Sequence, residues 1–193
     1  PVRFFFDAPT ITLLIEKINL HRAERIARPK IEIVNSRLNL PPSYNQDRIL
    51  RILENSPNAL NGIFNLNFKG KLDIDILEKS INTIIDRHKI LKTKFPVIMG
   101  KVLQEFDSKI QINIQTVDLR NMKPKDRDFE IFQLASNLSI EPFDLINGPL
   151  LRIKLIRTLD DEFSLLIAYC HLVFDRWSAG IFLHELMDLS CSS

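Results

Sequence analysis

The chain has 193 residues, enough for one domain with a sizeable core. Apolar residues make up 45% and charged residues 26%, and a net charge of +2 carried by scattered Lys and Arg makes no case for nucleic acid. The two cysteines, Cys170 and Cys191, form no CxxC pair, so neither a zinc site nor a disulfide framework is indicated, and a reducing, cytoplasmic setting is the expectation. The opening PVRFFFDAPT begins with Pro and lacks signal-peptide architecture; it reads as a cut inside a longer polypeptide. The longest apolar stretch, FSLLIAYCHLVF, is too short to cross a bilayer, so no membrane partner is expected.

Residues 9 to 27 read as a helix, with Pro9 and Thr10 in its first turn and Ile11, Leu14, Ile15 and Ile18 forming an apolar stripe. Residues 28 to 42 contain three prolines and no sustained period, which marks a linker. Ser43 then suits the N-cap of a short helix, SYNQDRILRILEN. GIFNLNFKG alternates as a half-buried strand. DIDILEKSINTIIDRHKI is strongly amphipathic, with Ile74, Leu77, Ile81, Ile84 and Ile85 on one face and Asp73 as its cap. TKFPVIMGKVLQEF predicts a hairpin turning at Met99-Gly100. IQINIQTVDL reads as a strand and DRDFEIFQLASNLS as a helix. LLRIKLIRTLDDEFSLLIAYCHLVF reads as two strands joined at residues 159 to 162, and WSAGIFLHELMDL as a closing helix. Interleaved strands and helices over one core predict a mixed α/β fold, a two-layer sandwich.

The polar cluster in AYCHLVFDRWSAG follows an apolar run. If the strand ends near residue 174, His171 lies at its exit and Asp175 opens the turn into the last helix. His171 is then either a satisfied core residue or a group delivered into a cleft. In a cleft it can take or position a proton, help that is worth about 10²–10⁴ in rate. No third ligand accompanies the His171–Asp175 spacing, so no metal site is indicated. Ser178 lacks the glycine-flanked elbow of a hydrolase nucleophile.

CHLVFDRWSAG resembles the HHxxxDGWS motif of the condensation domains of nonribosomal peptide synthetases. Three more stretches agree in family order: SYNQDRIL at 43 to 50 is similar to SxAQxRLW, RHKILKTKF at 87 to 95 to RHExLRTxF, and PFDLINGPLLR at 142 to 152 to the segment that precedes the histidine motif. The opening FFDAPTITLLIEKI is similar to the last helix of a carrier domain. The resemblance thus implies a carrier tail at 1–27, a linker at 28–42, and at 43–193 the N-terminal, chloramphenicol-acetyltransferase-like lobe of a condensation domain, without its second lobe.

In such a domain, donor and acceptor carrier proteins bring phosphopantetheine-bound thioesters into a tunnel from opposite ends, and the acceptor amine attacks the donor thioester. Holding both arms in one tunnel can supply ~7–11 kcal/mol of the barrier, so little side-chain chemistry is required. The resemblance implies that no cofactor binds this chain directly and that the arms are substrates. The resemblance assigns His171 as the key residue and Asp175 as structural, paired with Arg87. If buried, that ion pair would cost about 3–5 kcal/mol to break on one side. His88 is expected to pack, Ser43, Gln46 and Arg48 to belong to the scaffold, and Trp177 to form wall or core beside Ser178.

Two residues depart from the motif. Cys170 replaces its first histidine and is expected to pack, with a nucleophilic Cys–His pairing as the alternative. Arg176 replaces the glycine after Asp175 and adds a cation where a substrate arm should pass unless it turns away. The end, LSCSS, reads as a scar or a gene's truncated end, and apolar surface meant for the second lobe favours self-association. Three functions follow as expectations: an amide-forming condensation lobe, an inactive docking module of the same fold, or an oligomeric acyltransferase that completes its site between subunits.

Overall fold

The computed structural model describes residues 6–23 and 40–191, with side chains over 6–20 and 40–189. The chain divides into two compact units, residues 1–35 and 36–193. In the first, α1 (Ile11–Ala23) starts at Thr10, whose hydroxyl accepts from the Leu13 amide at 3.3 Å. Of the predicted apolar stripe, Ile11, Ile15 and Ile18 are exposed. The expected continuation to residue 27 and the linker up to residue 39 lie outside the described residues.

The second unit is built on a four-stranded sheet of order β1-β8-β7-β6. Its strands are β1 (Asn61–Lys69), β6 (Gln115–Asp118), β7 (Leu151–Arg157) and β8 (Glu162–Cys170). The β1–β8 and β7–β8 pairs are antiparallel and β6–β7 is parallel. Among the described residues four α-helices accompany the sheet: α2 (Tyr44–Asn55), α3 (Ile74–Arg87), α4 (Pro124–Ile140) and α5 (Arg176–Cys191). This is the mixed α/β class that the interleaving predicts.

Helices lie on both faces of the sheet. Phe64 meets Phe174, which meets Phe182 of α5, while Asn61, of opposite parity on the same strand, reaches the Ser139 carbonyl of α4. Covering both faces explains why Phe163 to Ala168 are buried without alternation. The stripe on α3 packs as predicted, with Leu77, Ile81, Ile84 and Ile85 no more than 2% exposed. Asp73 caps that helix by accepting from the Ile76 amide at 3.0 Å.

Three donors close the other end of α4. Asn58 donates to the Ile140 carbonyl, Asn61 to those of Ser139 and Glu141, and Arg152 to that of Glu141. A helix end leaves such carbonyls without intrahelical partners, so these side chains fix how α4 sits on the sheet.

The hairpin forms where predicted. Strands β3 (Val97–Ile98) and β4 (Lys101–Val102) flank Met99 and Gly100, whose φ values of 51° and 75° are the two positive angles of a type I′ turn. Outside it, β2 (Thr93–Lys94) pairs with β5 (Glu105–Phe106).

The strand predicted over 110 to 119 shrinks to β6. Its first half spends its backbone on side chains of α3. The Ile112 amide and carbonyl both bond Asn82, and the Ile114 amide donates to Glu78 at 2.8 Å. Those groups are satisfied without a neighbouring strand. No described helix is long and apolar enough to cross a membrane.

Candidate functional site

Strand β8 ends at Cys170 rather than near residue 174, because the chain turns at once: the Val173 amide donates back to the Cys170 carbonyl at 3.1 Å. His171 therefore opens a turn instead of lying in a strand. Its amide donates to the Leu60 carbonyl at 3.1 Å, beside the start of β1, and its ring is half-buried. The imidazole meets Tyr169 in a T-shaped contact with centroids 5.3 Å apart. Neither ring nitrogen has a hydrogen-bond partner among the described residues, so the imidazole is not a satisfied core histidine.

The stretches singled out in the sequence are tied to one another around this turn. Gln46 donates to the Leu172 carbonyl at 3.3 Å and to Gln104 at 3.2 Å, while its own oxygen accepts from the Ser43 amide. The Ser43 hydroxyl in turn accepts from the Gln46 amide, completing a capping box. The Phe95 amide donates to the Leu145 carbonyl at 2.6 Å, and the Cys170 amide to that of Leu150 at 3.1 Å. Replacing Gln46 with alanine removes the capping contact and leaves the Leu172 carbonyl without its side-chain donor. We expect a loss of about 1–3 kcal/mol, read as a lower urea midpoint, and an unchanged midpoint would count against this anchoring.

The predicted Arg87–Asp175 ion pair does not form. Arg87 at the end of α3 pairs with Glu185 at 2.8 Å, and His88 Nε2 lies 2.8 Å from the other Glu185 oxygen, so His88 does more than pack. The reason is packing: α3 lies along α5, which brings Glu185 opposite the last turn of α3. Asp175 is occupied elsewhere. Its carboxylate accepts from the Ser178 amide at 2.8 Å and the Ser178 hydroxyl at 2.7 Å, while its carbonyl accepts from the Ala179 amide, so it caps α5. Those bonds, chiefly the one from the Ser178 amide, hold the Asp175 carboxyl below its ordinary value, and the nearby His171 adds to the effect.

Burial opposes ionisation of Glu185, but the hydrogen bonds and charges of His88 and Arg87 outweigh it, so its carboxyl titrates below the ordinary 4.5. A depressed folded pKa adds stability above the unfolded value, and that stability is lost as pH falls through the folded one. Glu185→Gln is therefore expected to lower the urea midpoint near neutral pH, with the gap to wild type closing in acid. A gap independent of pH would show that the carboxylate charge contributes nothing.

Cys170 is 1% exposed and burial pushes its thiol up, away from a thiolate, so the nucleophilic alternative loses its chemical basis. Burial also pushes the Tyr169 phenol up, and the Asp175 carboxylate adds to that. Trp177 is 81% exposed, so it is not part of the core. With Arg176, Ile181 and His184 it lines an open depression on α5. Arg176 is likewise exposed, at the first position of the helix. A small apolar cleft of about 80 Å³ lies between α3 and α5, lined by Ile84, His88, Leu91, Phe174, Ser178 and Phe182 among others.

Gln46 belongs to the scaffold as expected. Glu185 is the position whose role the sequence reading missed; an acid beside the apolar Phe182 and Leu186 was a readable sign for it.

A family profile described as Condensation domain matches residues 39–192. This chain belongs to the condensation-domain family. Among curated proteins, this condensation-domain chain is 33% identical over 193 residues to a linear gramicidin synthase of Brevibacillus parabrevis, covering 98% of this chain and 4% of that protein. It is 28% identical to the phosphinothricin tripeptide synthetase PhsB of Streptomyces viridochromogenes, covering 98% of this chain and 16% of the relative. The condensation-domain chain thus spans only a small part of these relatives. Its fold matches the starter condensation domain of rhizomide synthetase RzmA with a TM-score of 0.69 at 14% identity, covering 77% of this chain and 36% of that one. It matches the complex of the X-domain and OxyB from teicoplanin biosynthesis with a TM-score of 0.71 at 20% identity, covering 85% and 35%.

Proposed function

We propose that this chain is the N-terminal lobe of a condensation domain that forms amide bonds on a peptide-synthetase assembly line in the cytoplasm. The observation that carries the reading is that two of the other motif-bearing stretches, through Gln46 and Leu150, hydrogen-bond the segment that presents His171, whose ring nitrogens have no hydrogen-bond partner among the described residues. Donor and acceptor carrier domains deliver their substrates as phosphopantetheine thioesters, and a second lobe closes the tunnel over His171.

The acceptor amine attacks the donor carbonyl, the C–N bond forms, and the C–S bond breaks as the tetrahedral intermediate collapses. The proton leaving nitrogen ends on the departing thiolate. His171 orients the amine and takes or relays that proton. Proximity in the tunnel supplies most of the acceleration. Glu185 and Asp175 act at a distance, by holding α5 against α3 and capping its first turn.

The test is amide synthesis by the synthetase that carries this chain, with both carriers loaded and the product followed by mass. Product on the acceptor arm is expected. Two loaded thioesters that never combine would overturn the reading. A second reading, an inactive docking module, draws on the Cys170 and Arg176 departures and on the likeness to an X-domain solved with a protein partner. An oligomer that completes its site between subunits, or self-association through apolar surface, would appear in native mass measurement.

A further inference from the structure

We infer that Tyr169 is a positioning residue for the His171 imidazole, seated over the side-chain-free surface of Gly62. This rests on the reading of His171 as the amine-directing group and adds two residues to it.

Register places Tyr169 directly across from Gly62 in the β1–β8 pair. The phenol folds back over its partner: a Cβ at position 62 would meet Tyr169 Cζ at 2.2 Å and its Cε2 and Oη at 2.5 Å. Gly62 has no positive φ, so the backbone does not demand glycine there. The space does. With that space filled, Tyr169 could not lie flat along the strand.

Lying there, the ring has three aromatic neighbours. Phe174 is 4.8 Å away, Phe64 6.1 Å, and the His171 imidazole 5.3 Å at an interplanar angle of 84°. Phe174 is in turn backed by Phe182 of α5 at 5.9 Å. Tyr169 is thus braced on its core side and presents its remaining side to His171. Perpendicular aromatic pairs have a preferred geometry, so the contact selects an orientation of the imidazole as well as excluding others.

This matters because no hydrogen bond among the described residues orients that ring. Its nitrogens have no hydrogen-bond partner among the described residues, so no carboxylate or carbonyl sets its tilt in the way a hydrogen-bonded catalytic histidine is set. The phenol hydroxyl has no hydrogen-bond partner among the described residues either, so the ring, not the hydroxyl, performs the task. Phenylalanine should therefore substitute for Tyr169, and leucine should not.

The experiment reads the imidazole directly. In this chain labelled at histidine, the His171 ring-proton shifts are compared by NMR among wild type, Tyr169→Phe, Tyr169→Leu and Gly62→Ala. Wild type and Tyr169→Phe are expected to share one ring-current-shifted signal, lost in Tyr169→Leu and Gly62→Ala. The far end of a tyrosine can swing aside, so Gly62→Ala should fold and displace the ring without removing it. In the carrier-loaded synthetase the two disruptive variants should lower kcat for amide formation about tenfold to a hundredfold, with KM for the carriers unchanged. Unmoved His171 signals in Tyr169→Leu, or moved signals with full kcat, would overturn the positioning role. Full synthesis by His171→Ala would instead remove the catalytic reading, while the ring signals still decide the contact.

Discussion

Alanine at position 171 is expected to lower amide synthesis about 10²- to 10⁴-fold in the carrier-loaded synthetase while leaving the fold in place. The two parts of this expectation have separate causes. The imidazole is half-buried and makes no hydrogen bond among the described residues, so its loss leaves no polar partner stranded. The bond that fixes the turn comes from the His171 amide to the Leu60 carbonyl, and alanine keeps it. What alanine removes is the group proposed to act as the base. Synthesis should stay above the uncatalysed rate, because tunnel proximity worth ~7–11 kcal/mol does not depend on the side chain. Single-turnover transfer between loaded carriers, with unfolding midpoints measured alongside, checks both parts. An unchanged transfer rate would remove His171 from the chemistry.

The largest effect on stability is expected at Phe174, three residues further on. Phe174 is 3% exposed and packs against Phe64, Tyr169 and Phe182, so it ties the sheet to α5 just where the chain leaves the His171 turn. Truncating a buried phenylalanine to alanine costs about 3–5 kcal/mol in transfer and cavity terms. Against a total of roughly 5–15 kcal/mol, that is a large share. It should also release the brace behind Tyr169, so activity should fall even in the folded fraction. Trp177 is the matched control: at 81% exposure its truncation should shift stability by no more than about 0.5 kcal/mol in this chain. Urea unfolding of both variants distinguishes the two, and equal midpoints would mean that the turn is not packed as described.

Much of the molecule was legible before any coordinates. The Ser43 and Asp73 caps, the α3 stripe and the Met99-Gly100 turn all appear where the sequence places them. Each depends on residues within a few positions of one another, so its physics is written locally. The short β6 shows where that logic ends. Its apolar alternation continues through 110 to 114, yet Asn82 and Glu78 of α3 take the backbone groups that a strand would have paired.

The site divides in the same way. The sequence by itself determined that the chain is a mixed α/β condensation-domain relative and that His171 and Asp175 lie near the junction of the last strand and the last helix, because residue order, caps and motif spacing are properties of the chain alone. Only the tertiary structure decided which partners those residues take. Arg87 has several carboxylates within conceivable reach along the sequence, and the packing of α3 on α5 selects Glu185 while Ser178 claims Asp175. Gly62 and Tyr169 are likewise unremarkable in the sequence, and become a matched pair only when strand register sets them face to face. Ion pairs and ring contacts depend on distances of a few ångströms between elements remote in the chain, and those distances exist only once the core has closed.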